Sequence, residues 1–209
     1  LFDAVSGNLI QSFFEPNPRA DSVFGFSVAI DGDSLLIGAP GPSEGENDSG
    51  IVYLFKPITF NIIEGTSGKD VLVGTADNDR ILGLSGKDLL IGKAGNDMLE
   101  GGVGKDKLFG SRGDDILDVS ADKDLLWGGR GNDKFVLRKG DGLDKIFDYR
   151  DGVDSFLLAD NLEFEDLTIT QNLDRSLISI TDTNEDLAVL FRVNANDIGA
   201  EDFSTGLPV

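Results

Sequence analysis

Eight aspartates recur at nine-residue intervals between Gly65 and Val136: Asp70, Asp79, Asp88, Asp97, Asp106, Asp115, Asp124 and Asp133. A fixed period of this kind stacks equivalent residues into rows, and a row of carboxylates either repels itself or holds cations between its members. The remaining composition narrows the cation. Histidine and cysteine are both absent, which removes disulfides, thiolate and imidazole ligands, and the His-containing nucleophilic triads. Oxygen is left as the ligand atom, which points to a hard cation, calcium or magnesium. The net charge of -20, from 38 acidic and 18 basic residues, destabilises any compact state unless cations neutralise it. It also argues against nucleic acid as a partner, since phosphate binding needs basic stripes.

The elements that hold the aspartates follow from the same period. If aspartate is position six, position eight is always large and apolar: Leu72, Ile81, Leu90, Leu99, Leu108, Leu117, Leu126 and Phe135. Position one is glycine except at Val119, and position four is glycine except at Asp77 and Asp122. Six positions rich in glycine read as a tight turn, and the last three as a short strand whose eighth residue points inward. Aspartate tolerates the left-handed conformations that such turns use, so Val119 is the worse misfit. Solvated Gly-Asp turns would explain the composition but not a period that never slips. The outward residues of the odd repeats, Val71, Val73, Leu89, Ile91, Lys107, Phe109, Leu125 and Trp127, are nearly all apolar, unlike those of the even repeats. Such a face predicts a cover over Val71, Leu89, Phe109 and Trp127: later strands, the amino-terminal segment, or a second copy of the chain.

Gly92-Lys-Ala-Gly-Asn-Asp-Met-Leu-Glu100 and Gly128-Gly-Arg-Gly-Asn-Asp-Lys-Phe-Val136 bring the chain close to a known pattern. It resembles the RTX (repeats-in-toxin, haemolysin-type) calcium-binding family, whose motif is G-G-x-G-x-D-x-U-x. The resemblance implies an all-β fold, a right-handed parallel β-roll with two repeats per coil, and an ion between each turn and its equivalent 18 residues on. It further implies that the earlier turn gives the carbonyls of positions two and four plus its aspartate, and the later turn those of positions one and three plus its own. Along the odd repeats these are Thr66, Gly68 and Asp70 with Gly83, Ser85 and Asp88; then Leu84 and Gly86 with Gly101, Val103 and Asp106; then Gly102 and Gly104 with Val119, Ala121 and Asp124. Along the even repeats they are Thr75, Asp77 and Asp79 with Gly92, Ala94 and Asp97; then Lys93 and Gly95 with Gly110, Arg112 and Asp115; then Ser111 and Gly113 with Gly128, Arg130 and Asp133. Two rows of four turns leave three gaps each, so about six calcium ions are expected, offsetting about twelve of the excess negative charges.

Two looser turns, Gly140-Asp-Gly-Leu-Asp-Lys-Ile146 and Gly152-Val-Asp-Ser-Phe156, keep the G-x-D-x-apolar ending. Asp144 and Asp154 there supply one or two further sites, up to eight ions in all, or only structural turns. The roll is thus expected over 62–158, with strict repeats over 65–136 and degenerate turns over 139–157. Strand-like runs at Leu167 to Thr170, Leu177 to Thr181 and Leu187 to Val193 predict an antiparallel β cap within 159–209. The acidic ending, closing on Gly206-Leu-Pro-Val209, is compatible with the uncleaved type I secretion signal of RTX proteins.

Residues 1–57 lack the period. Phe24-Gly-Phe-Ser-Val-Ala-Ile-Asp-Gly-Asp-Ser-Leu-Leu-Ile-Gly-Ala-Pro40 and Gly50-Ile-Val-Tyr-Leu-Phe55 resemble an FG-GAP repeat, the blade unit of integrin-type β-propellers. One blade cannot close a ring, so a short antiparallel β segment is expected, an incomplete propeller with its hairpin at Asp31-Gly-Asp33. No apolar run approaches the roughly 18 residues that span a bilayer. The resemblances imply a calcium-binding RTX module of a secreted or surface bacterial protein. The alternatives are an adhesin that binds a cell-surface or glycan ligand through the FG-GAP segment, and the non-catalytic tail of a secreted enzyme. Zincin and nucleophile-elbow motifs are both missing, so carboxylate chemistry alone would remain for catalysis, and the clustered acids already have a metal role. An ice-binding threonine ladder is broken after Thr66 and Thr75 by Leu84, Lys93 and Gly102.

Overall fold

The computed structural model describes residues 27–31, 34–39, 51–55 and 59–205, and the chain divides into two units, Leu1–Ile58 and Thr59–Val209. In the first unit, strands Ser27–Asp31, Ser34–Ala39 and Ile51–Phe55 form an antiparallel sheet in chain order. Asp31 pairs with Ser34, as the expected hairpin requires. The chain before Ser27, Asp33 itself, and the carboxyl-terminal Gly206 to Val209 lie outside the described residues.

In the second unit each nine-residue repeat makes half a coil, so the odd and even repeats build separate sheets. Strands Val71–Val73, Leu89–Ala94, Lys107–Arg112 and Leu125–Arg130 pair in parallel along one sheet. Asp79–Leu82, Met98–Glu100, Ile116–Asp118 and Lys134–Leu137 pair in parallel along the other. Between the sheets the position-eight side chains stack in a column: Ile81, Leu90, Leu99, Leu108, Leu117, Leu126 and Phe135 are at most 1% exposed, and Leu72 at the open end is only partly buried. Fully burying a side chain of this size contributes about 1.5–3 kcal/mol, which makes the column the main source of cohesion in the roll.

The roll outruns the strict repeats at both ends. Asn61–Glu64 pairs with Asp79–Leu82, putting Ile63 beside Ile81 and Asn61 beside Asp79. This is another half-coil ahead of Gly65, with asparagine at position six. At the far end, Asp144–Ile146 joins the odd sheet and Ser155–Leu158 the even sheet. The coil-to-coil offset grows there from 18 residues to 20 and then 21, because Leu137, Arg138 and Asp148 are extra residues. Beyond them, Leu167–Asn172, Arg175–Ile180 and Asp186–Phe191 form an antiparallel meander that docks on the odd sheet, with Asp186–Phe191 parallel to Asp144–Ile146. Phe203–Thr205 closes the even sheet against Ser155–Leu158. The cap thus takes up the edge that an open solenoid would leave unpaired.

The odd outer face differs from expectation. Val71 and Val73 are 63% and 42% exposed, so nothing among residues 59–205 covers that end. Phe109, Trp127, Phe147 and Phe191 instead cover one another, stacking in series with centroids 4.4, 4.5 and 4.7 Å apart, and the Arg175 guanidinium lies over the Phe191 ring.

Candidate metal centres

The glycines of the turn have two separate jobs. The left-handed residues fall at position four, as at Gly104 (φ 135°) and Asp122 (φ 96°), and also at position two, as at Leu84 (φ 71°), Lys93 (φ 83°) and Ser111 (φ 88°). Position one is not left-handed; it is crowded. A Cβ on Gly92 would lie 2.2 Å from Asp97 Oδ2, and one on Gly83 would lie 2.4 Å from the Gly101 carbonyl oxygen. Val119 therefore needs no unusual φ, and it joins the core at 1% exposure. Successive turns lie backbone against backbone, with their aspartates turned inward.

From Asp88 to Asp133 each position-six carboxylate uses its two oxygens differently. Oδ1 accepts the N–H of the aspartate one coil earlier. Asp70 donates to Asp88 (2.7 Å), Asp79 to Asp97 (2.8 Å), Asp88 to Asp106 (2.8 Å), Asp97 to Asp115 (2.9 Å), Asp106 to Asp124 (2.6 Å) and Asp115 to Asp133 (3.0 Å). These bonds orient the six accepting carboxyl groups. Oδ2 has no hydrogen-bond partner in Asp88, Asp97, Asp106, Asp115, Asp124 and Asp133, and all six side chains are buried. A buried acceptor left unpaired costs about 1–3 kcal/mol, more when charged. Six such oxygens in register are a candidate cation-binding surface along the two rows.

The electrostatics agree with the geometry. Burial lifts the carboxyl pKa to about 6 in Asp97, Asp106 and Asp133, and to about 7 in Asp115 and Asp124. The accepted backbone N–H pulls each value down, and neighbouring carboxylates push it up again. Among the described residues no three acidic side chains converge, so a gap offers two carboxylates and the backbone oxygens of two turns. An all-oxygen set of two carboxylates and backbone carbonyls suits the flexible coordination of calcium better than the octahedral, water-rich shell of magnesium. A divalent cation held between these carboxylates would supply the positive charge that offsets their repulsion.

All ten expected aspartates fall into the two rows. Asp144 Oδ1 accepts from Asp124 N at 3.0 Å and Asp154 Oδ1 from Asp133 N at 3.1 Å, and both are buried. Asp70 and Asp79, in the first coil, differ from the rest, since their Oδ2 atoms accept from Thr66 N (2.7 Å) and Thr75 N (2.6 Å) within their own turns. Other residues of the rows lie outside the sequence pattern. Asn61 Nδ2 donates to Asp79 Oδ1 at 3.1 Å, and its signal is its place nine residues before Asp70. Asp141, with an unpartnered Oδ2 and a pKa pushed to about 6 by burial, raises the pKa of Asp144 in turn. At position five of the even repeats, Asn78, Asn96 and Asp114 form a second ladder, each accepting the N–H one coil later.

The fold and these sites define a calcium-binding β-roll, and comparison with known families agrees. Residues 64–99 and 100–135 match the RTX calcium-binding nonapeptide repeat, and residues 11–55 match the FG-GAP repeat. The chain therefore carries RTX calcium-binding repeats, a non-catalytic structural module, preceded by an FG-GAP repeat. Among solved structures it is similar to the AlgE6R3 subunit of the Azotobacter vinelandii mannuronan C5-epimerase, at 26% identity, covering 67% of this chain and 80% of that one, with a TM-score of 0.43. The AlgE6R2 subunit of the same enzyme gives 22% identity, 71% and 96% coverage and a TM-score of 0.43. The extracellular lipase LipA of Serratia marcescens gives 18% identity and a TM-score of 0.42, covering 86% of this chain and 30% of the lipase. No curated protein matches the chain. Among the described residues no helix is long and apolar enough to cross a membrane.

Proposed function

We propose that this chain is a calcium-loaded scaffold of a secreted or surface bacterial protein, folding on the metal after export. The six buried, unpartnered Oδ2 atoms carry the reading. Without cations the roll must bury two rows of repelling carboxylates; with them the same rows hold successive coils together. About six ions are expected, one per gap between strict repeats, each held by two aspartates and by carbonyls of the turns that contain them, with the ligand sets running from Thr66 to Asp133. Inside a cell calcium is too scarce to fill such sites, so the chain stays extended and threadable; at millimolar calcium outside it folds. An adhesive role for the FG-GAP segment is the second reading, favoured by the family match at residues 11–55. Circular dichroism in chelator and in calcium tests the scaffold reading: β signal should rise strongly when calcium is added, and equal β content in both would sink it.

A further inference from the structure

The two rows end differently. At the end of the odd row, between Asp124 and Asp144, position two of the last turn is Gly140, and the nearby acid Asp141 adds negative charge. At the end of the even row, between Asp133 and Asp154, position two is Arg150. Its Nη2 donates to the Gly131 carbonyl oxygen and, at 2.8 Å, to Asp154 Oδ1, and it lies 3.6 Å from Asp133 Oδ2. Nε donates to Asp154 Oδ2 at 3.2 Å. Gly131 is position four of the earlier turn, and Asp133 and Asp154 are the two aspartates of the gap. One guanidinium therefore meets, from a single point, both carboxylates and a turn carbonyl of the kind assigned to an ion elsewhere in the row.

We propose that the Arg150 guanidinium takes the place of a calcium ion between Asp133 and Asp154, so that the last gap of the even row closes without metal. This rests on the calcium reading of the six preceding gaps. Guanidinium chemistry suits such a gap, being always charged, carrying five N–H donors and no acceptor, and bridging several oxygens at once. Local backbone supports it. Arg150 is not among the left-handed residues, unlike Gly129 and Gly140 at the same position of neighbouring turns, and its own N–H donates to Asp154 Oδ2 at 2.8 Å. The guanidinium therefore satisfies both oxygens of Asp154, whereas Asp88, Asp97, Asp106, Asp115 and Asp124 each keep one oxygen free. Asp154 does not fit a calcium ligand and is better described as the acidic half of a permanent ion pair.

The consequence is an order of assembly. In a stacked repeat each coil is stabilised by its neighbour, so one coil that forms without ligand templates the next. The pair Lys134–Leu137 and Ser155–Leu158, closed by Arg150 beside Phe203–Thr205, is a metal-independent seat onto which the calcium-dependent coils stack.

Crystals of the full chain grown in calcium, with anomalous scattering used to place the ions, test this directly. The expected result is ions in the gaps between strict repeats and none between Asp133 and Asp154, where the guanidinium sits. An ion in that gap with Arg150 displaced would overturn the proposal while leaving the calcium reading intact, and ions in none of the gaps would overturn both. By ion counting, Arg150→Gln should bind one more calcium than the wild-type chain and Arg150→Lys the same number. An unchanged count in a folded Arg150→Gln would also overturn it.

Discussion

Asp106 serves two gaps, one toward Asp88 and one toward Asp124, so Asp106→Asn tests whether the rows work as shared sites. The asparagine keeps an Oδ1 that can accept from Asp88 N, now at 2.8 Å, and the side chain is 1% exposed in a position that tolerates no change of size. What changes is charge. With calcium about a hundredfold above its dissociation constant, each ion contributes about 2.7 kcal/mol to the folded state, so losing two weakens it by about 5 kcal/mol. For a unit of this length that lowers the melting temperature by roughly 10–20 °C. In chelator the sign reverses. Burial holds the Asp106 pKa near 6, so at higher pH the wild-type roll must bury an unfavourable charge that the amide does not carry, and the variant is the more stable of the two. Paired thermal melts in calcium and in chelator, with a calcium count on each protein, read both halves. A variant destabilised equally in the two conditions, or binding as many ions as the wild type, would refute the shared-site reasoning.

Other consequences follow from the same geometry. In chelator the folded roll holds protons that the unfolded chain releases, since Asp115 and Asp124 titrate near 7 and Asp144 near 8 against an ordinary value of about 3.9. Metal-free stability should therefore fall as pH rises from about 4 to about 8, and melting curves that improve over that range would contradict it. Gly104→Ala would place a Cβ 1.5 Å from the Gly86 carbonyl oxygen at a φ of 135°, whereas Gly140→Ala at φ 86° meets nothing within 4 Å. Denaturant titration should show a loss of roughly 3 kcal/mol or more for the first and about 1 kcal/mol for the second. Trp127→Ala removes two ring stacks, with Phe109 and Phe147, worth about 0.5–1.5 kcal/mol each beyond area burial. It should lower the melting temperature while leaving the calcium count unchanged; a lost ion would tie the outer face to the sites.

The central coils are legible in the sequence because period, turn chemistry and core pattern agree at every repeat. The two rows, the inward column from Ile81 to Phe135 and the antiparallel meander after Leu167 are all where the pattern places them. The failures fall where one residue type answers to two constraints. Glycine at position one suggests a need for conformational freedom, but the constraint there is space beside the aspartate; Val119 needs no unusual φ and turns into the core. Asn61 hides because it is not acidic, though its spacing and that of Ile63 belong to the series. Arg150 does not read as a cation inside a site, since its offset is masked by the insertions at Leu137, Arg138 and Asp148. The odd outer face suggests a lid, because alternation shows that Phe109 and Trp127 point outward but not that stacked rings shield each other's faces.

Two rows of aspartates that share calcium ions set how many ions the chain binds. Calorimetric titration of the full chain with calcium, with bound ions counted after dialysis, measures that number most directly. About six ions are expected, set by the gaps between strict repeats and by the all-oxygen ligation each offers. Fewer than about four would contradict the two-row arrangement.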